Sequence, residues 1–156
     1  MSINNFFLSI LKILTFTILF SVSLSFGQKP EPVTWATSIE KVTENDYNIV
    51  FTSTIAKNWH LYSQYLEEGG PLPTVFTFEP NSNYQCIGKP SEQEPIEIFE
   101  EVFEMNVKYF EKKTVFKQRI KMKHNTPFKV KGEITYMSCN NHQCLPWQFN
   151  FEIEIP

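Results

Sequence analysis

Trp147-Gln148-Phe149-Asn150-Phe151-Glu152-Ile153-Glu154-Ile155 alternates large apolar and polar residues without a break. Strand side chains point to opposite faces in turn, so this run is a strand with one face buried and one in water. The run before it carries the same signal: Phe128, Val130, Ile134 and Tyr136 share one parity, and Lys129, Lys131, Glu133 and Thr135 the other. Cys139-Asn140-Asn141-His142-Gln143-Cys144 joins the two runs. A disulfide across this connection is sterically easy, because the turn brings the strand ends within the short Cα separation such a bond needs.

Working outward, the preceding segments are short and mostly alternating. Val33, Trp35, Thr37 and Ile39 share one face of a first run, and Tyr47, Ile49, Phe51, Ser53 and Ile55 one face of a second. Trp59-His60-Leu61-Tyr62 is aromatic-rich and runs into Glu67-Glu68-Gly69-Gly70-Pro71-Leu72-Pro73, a loop by its glycines and prolines. Thr74 to Phe78 reads as a strand with Phe76 and Phe78 inward, and Tyr84 to Gly88 as a short one holding the third cysteine, Cys86. Lys89 to Pro95 reads as a polar connection. Ile96 to Phe110 fits neither period and reads as an irregular, partly extended loop. Phe116, Ile120 and Met122 restore the strand pattern between Thr114 and Lys123. Seven or so short strands without a helical pattern predict an all-β fold, an immunoglobulin-like antiparallel β-sandwich. A closed barrel is the alternative.

The N-terminus is different in kind. Phe6 to Phe20 is largely apolar with the single charge Lys12, and Ser25-Phe26-Gly27 supplies small residues before Gln28. Residues 1–27 therefore read as a secretory signal peptide and 28–156 as one domain; an uncleaved anchor is the competing reading. Removing Lys12 takes the formal charge from −3 to −4. A mildly acidic chain whose lysines are scattered along strands does not fit a nucleic-acid partner. Aromatic residues make up 15% of the sequence, enough to fill a substantial core. Export places the cysteines where disulfides persist. Cys86 is left over and reads as a buried apolar residue.

Three readings of Cys139 and Cys144 stand side by side. A structural staple is the common use of such a pair. Closing a loop of only about six residues removes little denatured-state entropy, however, on the order of 2 kcal/mol. A redox bond is the second reading, since a bridge on a short polar turn at a sheet end is open to a foreign thiolate. If the strand from Phe128 stays regular, Cys139 falls on the parity of Lys129 and Thr135, away from the core and accessible; a bulge at Gly132 would reverse this. The third is a metal site of Cys139, His142 and Cys144, which has no further ligand cluster to complete it.

The ordered set Trp59-His60-Leu61-Tyr62-Ser63, Gly69-Gly70-Pro71, Phe103 with Tyr109-Phe110, Ile134-Thr135-Tyr136-Met137-Ser138-Cys139 and Cys144-Leu145-Pro146 resembles the N-terminal periplasmic domain of the thiol:disulfide interchange protein DsbD, from about Val33 to Ile155. The resemblance implies an immunoglobulin-like fold whose cysteines pass electrons, without a cofactor, from a membrane-embedded thiol-disulfide donor to periplasmic thioredoxin-like or disulfide isomerase-type acceptors. By that resemblance Cys139 and Cys144 are the redox pair, with Cys144 linking to the partner. His60 and Tyr62 flank the pair, and Glu101, Val102 and Phe103 form a cap that shields it. The family's full-length members continue into a multi-helix membrane domain and a thioredoxin-like domain. Read as a free-standing domain ending at Pro156, this chain would need electrons from another protein. Trp147 stands where a second proline is common. The alternative from another class is a non-catalytic immunoglobulin-like binding or accessory module with a structural disulfide.

Overall fold

A computed structural model describes residues 31–156, which form one unit; the expected signal peptide lies outside the described residues. The described residues contain ten strands and no helix: β1 (Val33–Lys41), β2 (Asp46–Ile55), β3 (His60–Tyr62), β4 (Val75–Phe78), β5 (Tyr84–Glu92), β6 (Ile96–Glu100), β7 (Met105–Phe110), β8 (Lys113–Met122), β9 (Phe128–Cys139) and β10 (Cys144–Ile155). All pair antiparallel. One sheet runs β1-β2-β8-β5 and the other β10-β9-β3-β7-β6, with β4 beside β9 below β3. This is the expected immunoglobulin-like sandwich.

The alternating faces named from sequence meet between the sheets. Tyr47, Ile49, Phe51, Phe116 and Ile120 of one sheet are buried against Val130, Ile134, Tyr136, Phe151, Ile153 and Ile155 of the other. Aromatic rings join the layers, with Phe51 and Phe151 centred 4.9 Å apart and Phe110 and Phe116 5.7 Å apart, in edge-on arrangements that suit ring quadrupoles. Phe76, Phe78 and Cys86 are only partly buried, yet they pack on this core.

β9 and β10 set the position of the cysteines. Their register is continuous from Ile155 opposite Phe128 to Cys144 opposite Cys139. Gly132 permits this continuity. A Cβ there would lie 2.1 Å from the Thr77 carbonyl oxygen and 2.6 Å from Phe151 Cζ, so only glycine lets β4 and the Phe151 ring close on β9. The parity begun at Phe128 therefore reaches Cys139 unreversed.

Two segments differ from the sequence reading. Ile96 to Phe110 is not an irregular loop but the hairpin β6-β7, turning at residues 101–104. β6 is exposed on both faces, which removes the periodicity that marks a half-buried strand. β5 also runs through the supposed connection to Glu92, across an irregularity between Ile87 and Ser91 where Gly88 takes a positive φ of 69°. Gly88, Lys89 and Pro90 look like a break in the sequence because they form a bulge.

Candidate functional site

Cys139 ends β9 and Cys144 begins β10, directly opposite one another and joined by a disulfide with Cα atoms 4.1 Å apart. So close an approach belongs to the non-hydrogen-bonded position of an antiparallel ladder. The next pair outward makes the hydrogen bond, Asn140 N–H donating to the Gln143 carbonyl at 2.9 Å. Asn140 Oδ1 also accepts from the backbone N–H groups of His142 (2.8 Å) and Gln143 (3.0 Å). The asparagine thus shapes the turn with its own side chain, a habit of Asn in tight turns. His142 stands exposed on that turn.

The two sulfur-bearing residues differ sharply in exposure. Cys144 is exposed, whereas Cys139 keeps only 2% of its surface. The parity reading placed Cys139 away from the inter-sheet core, and that is its face. Its expected accessibility is corrected: a second apolar cluster covers it. Tyr62 and Val107 are buried with Cys139, and Leu66, Phe103, Met105, Tyr109 and Met137 pack around them. Sequence reasoning missed Val107, Met105, Met137 and Leu66. Met137 shares the parity of Cys139 and was readable; the others come from β7 and from the loop after β3.

β3 brings His60 and Tyr62 to this cluster, since His60 is the register partner of Cys139 and Tyr62 that of Tyr109. His60 Nε2 lies 3.1 Å from the Tyr62 hydroxyl, and its ring sits 4.7 Å from that of Tyr109. Burial holds the imidazole below its ordinary range, against a smaller upward pull from the Glu100 and Glu111 carboxylates. Burial, helped by Glu100 and Tyr109, pushes the Tyr62 hydroxyl up to about 12. Both shifts favour the uncharged forms of the two groups, which share this hydrogen bond. The group opposite Cys139 is a packing pair and not a fixed cation that would hold a thiolate.

The three residues of the expected cap occupy the β6-β7 turn but do different things. Phe103 folds back onto the Cys139 cluster, its backbone N–H donating to the Glu100 carbonyl at 3.2 Å. Glu101 points to solvent and Val102 is 81% exposed. Glu104 completes the turn with a φ of 54°, in the left-handed region. The glycine loop abuts the same hairpin: a Cβ on Gly70 would lie 2.7 Å from Met105 Sδ, so the missing side chain makes room for the thioether.

The profile of the N-terminal domain of the thiol:disulfide interchange protein DsbD matches residues 28–153. The chain belongs to the DsbD N-terminal family. Among solved structures, the N-terminal periplasmic domain of ScsB from Proteus mirabilis is 17% identical with a TM-score of 0.56, over 80% of this chain and 47% of that one. This chain thus spans about half the length of the ScsB one. The complex between the DsbD N-terminal and PilB N-terminal domains from Neisseria meningitidis gives 16% identity and a TM-score of 0.51, over 82% and 88% of the two chains. At such identities these likenesses speak for the DsbD-type fold alone. No curated protein matches the sequence.

Proposed function

We propose that this DsbD-family domain carries out thiol:disulfide exchange in the periplasm through Cys139 and Cys144. The observation that carries the reading is the asymmetry of the bond: one sulfur belongs to an exposed residue and the other to a residue sealed under an aromatic cap. A staple has no use for such asymmetry, and the six-residue loop contributes only about 2 kcal/mol as a constraint. A sulfur that must be attacked or must attack has to be reachable, while its partner need only be near.

In the reduced domain the Cys144 thiolate attacks one sulfur of an acceptor disulfide, forming an intermolecular S–S bond and releasing one acceptor thiolate. Cys139, deprotonated, then attacks the Cys144 sulfur, restores the intramolecular bond and releases the second acceptor thiolate. Two electrons leave the domain, and the two protons its thiols give up go to the acceptor's sulfurs. The reverse sequence, with a membrane-embedded dithiol as donor, reloads it. Thioredoxin-like or disulfide isomerase-type periplasmic proteins are the acceptors proposed. Phe103 controls approach to the bond, and His60 with Tyr62 fixes the wall behind Cys139. Glu101 and Val102 form the outer rim of the cap.

The test uses two variants. Cys139→Ala, incubated with an oxidised thioredoxin-like protein, accumulates a covalent complex that a dithiol dissolves. Cys144→Ala accumulates none. Absence of the complex in the first, or its appearance in the second, overturns the assignment.

A further inference from the structure

The two sheet paths end at β1 and β5 and at β10 and β6, with β4 also paired on one side only, and β5 and β10 carry features that interrupt further pairing. β5 breaks its edge with the bulge at Gly88-Lys89-Pro90. β10 carries Pro146 and the glutamates Glu152 and Glu154, with Glu152 bridged to Lys129 and Lys131. β1 presents Thr34, Ala36, Thr37 and Ser38 to solvent. β6 has neither bulge nor proline within it, and its own charges, Glu97 and Glu100, are of one sign. It pairs with β7 through five consecutive residues without a bulge, and no described residue pairs with its other side. Among the described residues, four of the nine exposed large hydrophobic ones lie on it or on the turn it enters, Ile96, Ile98, Phe99 (62% exposed) and Val102. Natural proteins rarely leave a straight apolar edge open, because its free N–H and C=O groups are a template for another strand.

The edge is also one-signed in charge. From Pro90 to Val107 there are six glutamates, Glu92, Glu94, Glu97, Glu100, Glu101 and Glu104, and no lysine or arginine. The only cation paired into the stretch from β7 is Lys108, 3.7 Å from Glu97. A second copy of this chain laid on β6 would set acidic strand against acidic strand, which electrostatics disfavours. We infer that the free edge of β6 is a docking site for an extended segment of another protein in which β-branched or aromatic residues alternate with lysine or arginine. That segment adds as a further strand. Its backbone groups satisfy the open edge, its apolar side chains pack beside Ile96 and Ile98 on one face, and its cations meet Glu97 beside Phe99 on the other. β6 lies three strands from β9, roughly 14 Å at ordinary strand spacing, so an added strand leaves Cys144 uncovered. The inference concerns binding alone and stands whether or not the disulfide exchanges.

The probe is a short blocked peptide alternating lysine and valine, added to the ¹⁵N-labelled protein. Expected are shift changes and slowed amide exchange confined to residues 96–100, with affinity falling about tenfold or more as salt is raised and the Debye length shrinks. The same peptide with glutamate for lysine, or with its central valines N-methylated so that they cannot join a ladder, does not bind. Ile98→Lys weakens binding at least tenfold without altering the melting temperature; should that variant fail to fold, the N-methylated peptide carries the decision. Absence of binding, equal binding of the acidic peptide, perturbation centred on β1 or β10, or self-association of the protein through β6 overturns the inference.

Discussion

The sandwich interior and the small cluster around Cys139 lie on opposite faces of the same sheet, and they are built in different ways. The interior is made by long strands whose apolar residues recur at every second position, as from Trp147 to Ile155. The outer cluster is assembled from several short contributions, Tyr62 of β3, Leu66 of the loop after it, Phe103 of the hairpin tip and Met105, Val107 and Tyr109 of β7, laid over Met137 and Cys139 of β9. The first arrangement makes a rigid platform. The second makes a cover that holds a reactive bond against the platform and opens at lower cost, because less surface is buried in it.

Four measurements sharpen that contrast. The largest effect belongs to the interior: Phe116→Ala, at a fully buried ring, lowers unfolding free energy by about 4 kcal/mol in denaturant titration. Reducing the Cys139–Cys144 bond comes next and costs at most about 2 kcal/mol, so the reduced domain melts only modestly lower by calorimetry. Phe103→Ala, at a half-buried cap residue, costs about 1 kcal/mol, yet it speeds reduction of the disulfide by a small dithiol several-fold, followed by thiol labelling. A stability loss for Phe103→Ala as large as that for Phe116→Ala would erase the distinction between platform and cover.

The fourth effect is a pH dependence carried by tyrosines of both regions, Tyr62 and Tyr109 in the cap cluster and Tyr84 and Tyr136 in the interior, all raised by burial first. Burial first, then neighbouring groups, pushes Tyr62 of the cap cluster and Tyr84 of the interior up to about 12 from an ordinary 10.0. A raised folded-state value means that the folded protein holds the proton more tightly than the unfolded chain. The corresponding stability is complete below pH 10.0 and drains away as pH climbs toward about 12. Tyr62→Phe removes the share of Tyr62 from that alkaline loss and leaves those of Tyr109, Tyr136 and Tyr84, the last stacked on Phe128 with centroids 5.6 Å apart. Unfolding curves across this range, with ultraviolet titration of the phenols, check it.

Legibility followed the same division. The alternation of Phe128 to Tyr136 and of Trp147 to Ile155 was enough to orient β9 and β10, and the parity carried through Gly132 put Cys139 on its correct face. What lay over that face was not readable, since Phe103, Leu66 and Met105 are remote from Cys139 in the chain and have no common period. The β6-β7 hairpin was invisible for a related reason: a strand exposed on both sides has no inside to alternate with. Family likeness named His60, Tyr62 and the Glu101 to Phe103 turn as neighbours of the pair. Only the geometry separated Phe103, which packs inward, from Val102, which faces solvent.

The turn between the cysteines has a consequence for the reduced molecule. Asn140 holds residues 140–143 in place through its own backbone and side chain, with no contribution from the sulfur bond. When that bond opens, the ladder still keeps the two residues face to face, so each thiol sees the other at a very high effective concentration. On the proposed exchange, a mixed disulfide through Cys144 would be short-lived, because its resolution is an intramolecular step that competes with no diffusing thiol. On that proposal the asparagine turn would set how long the domain remains attached to a partner.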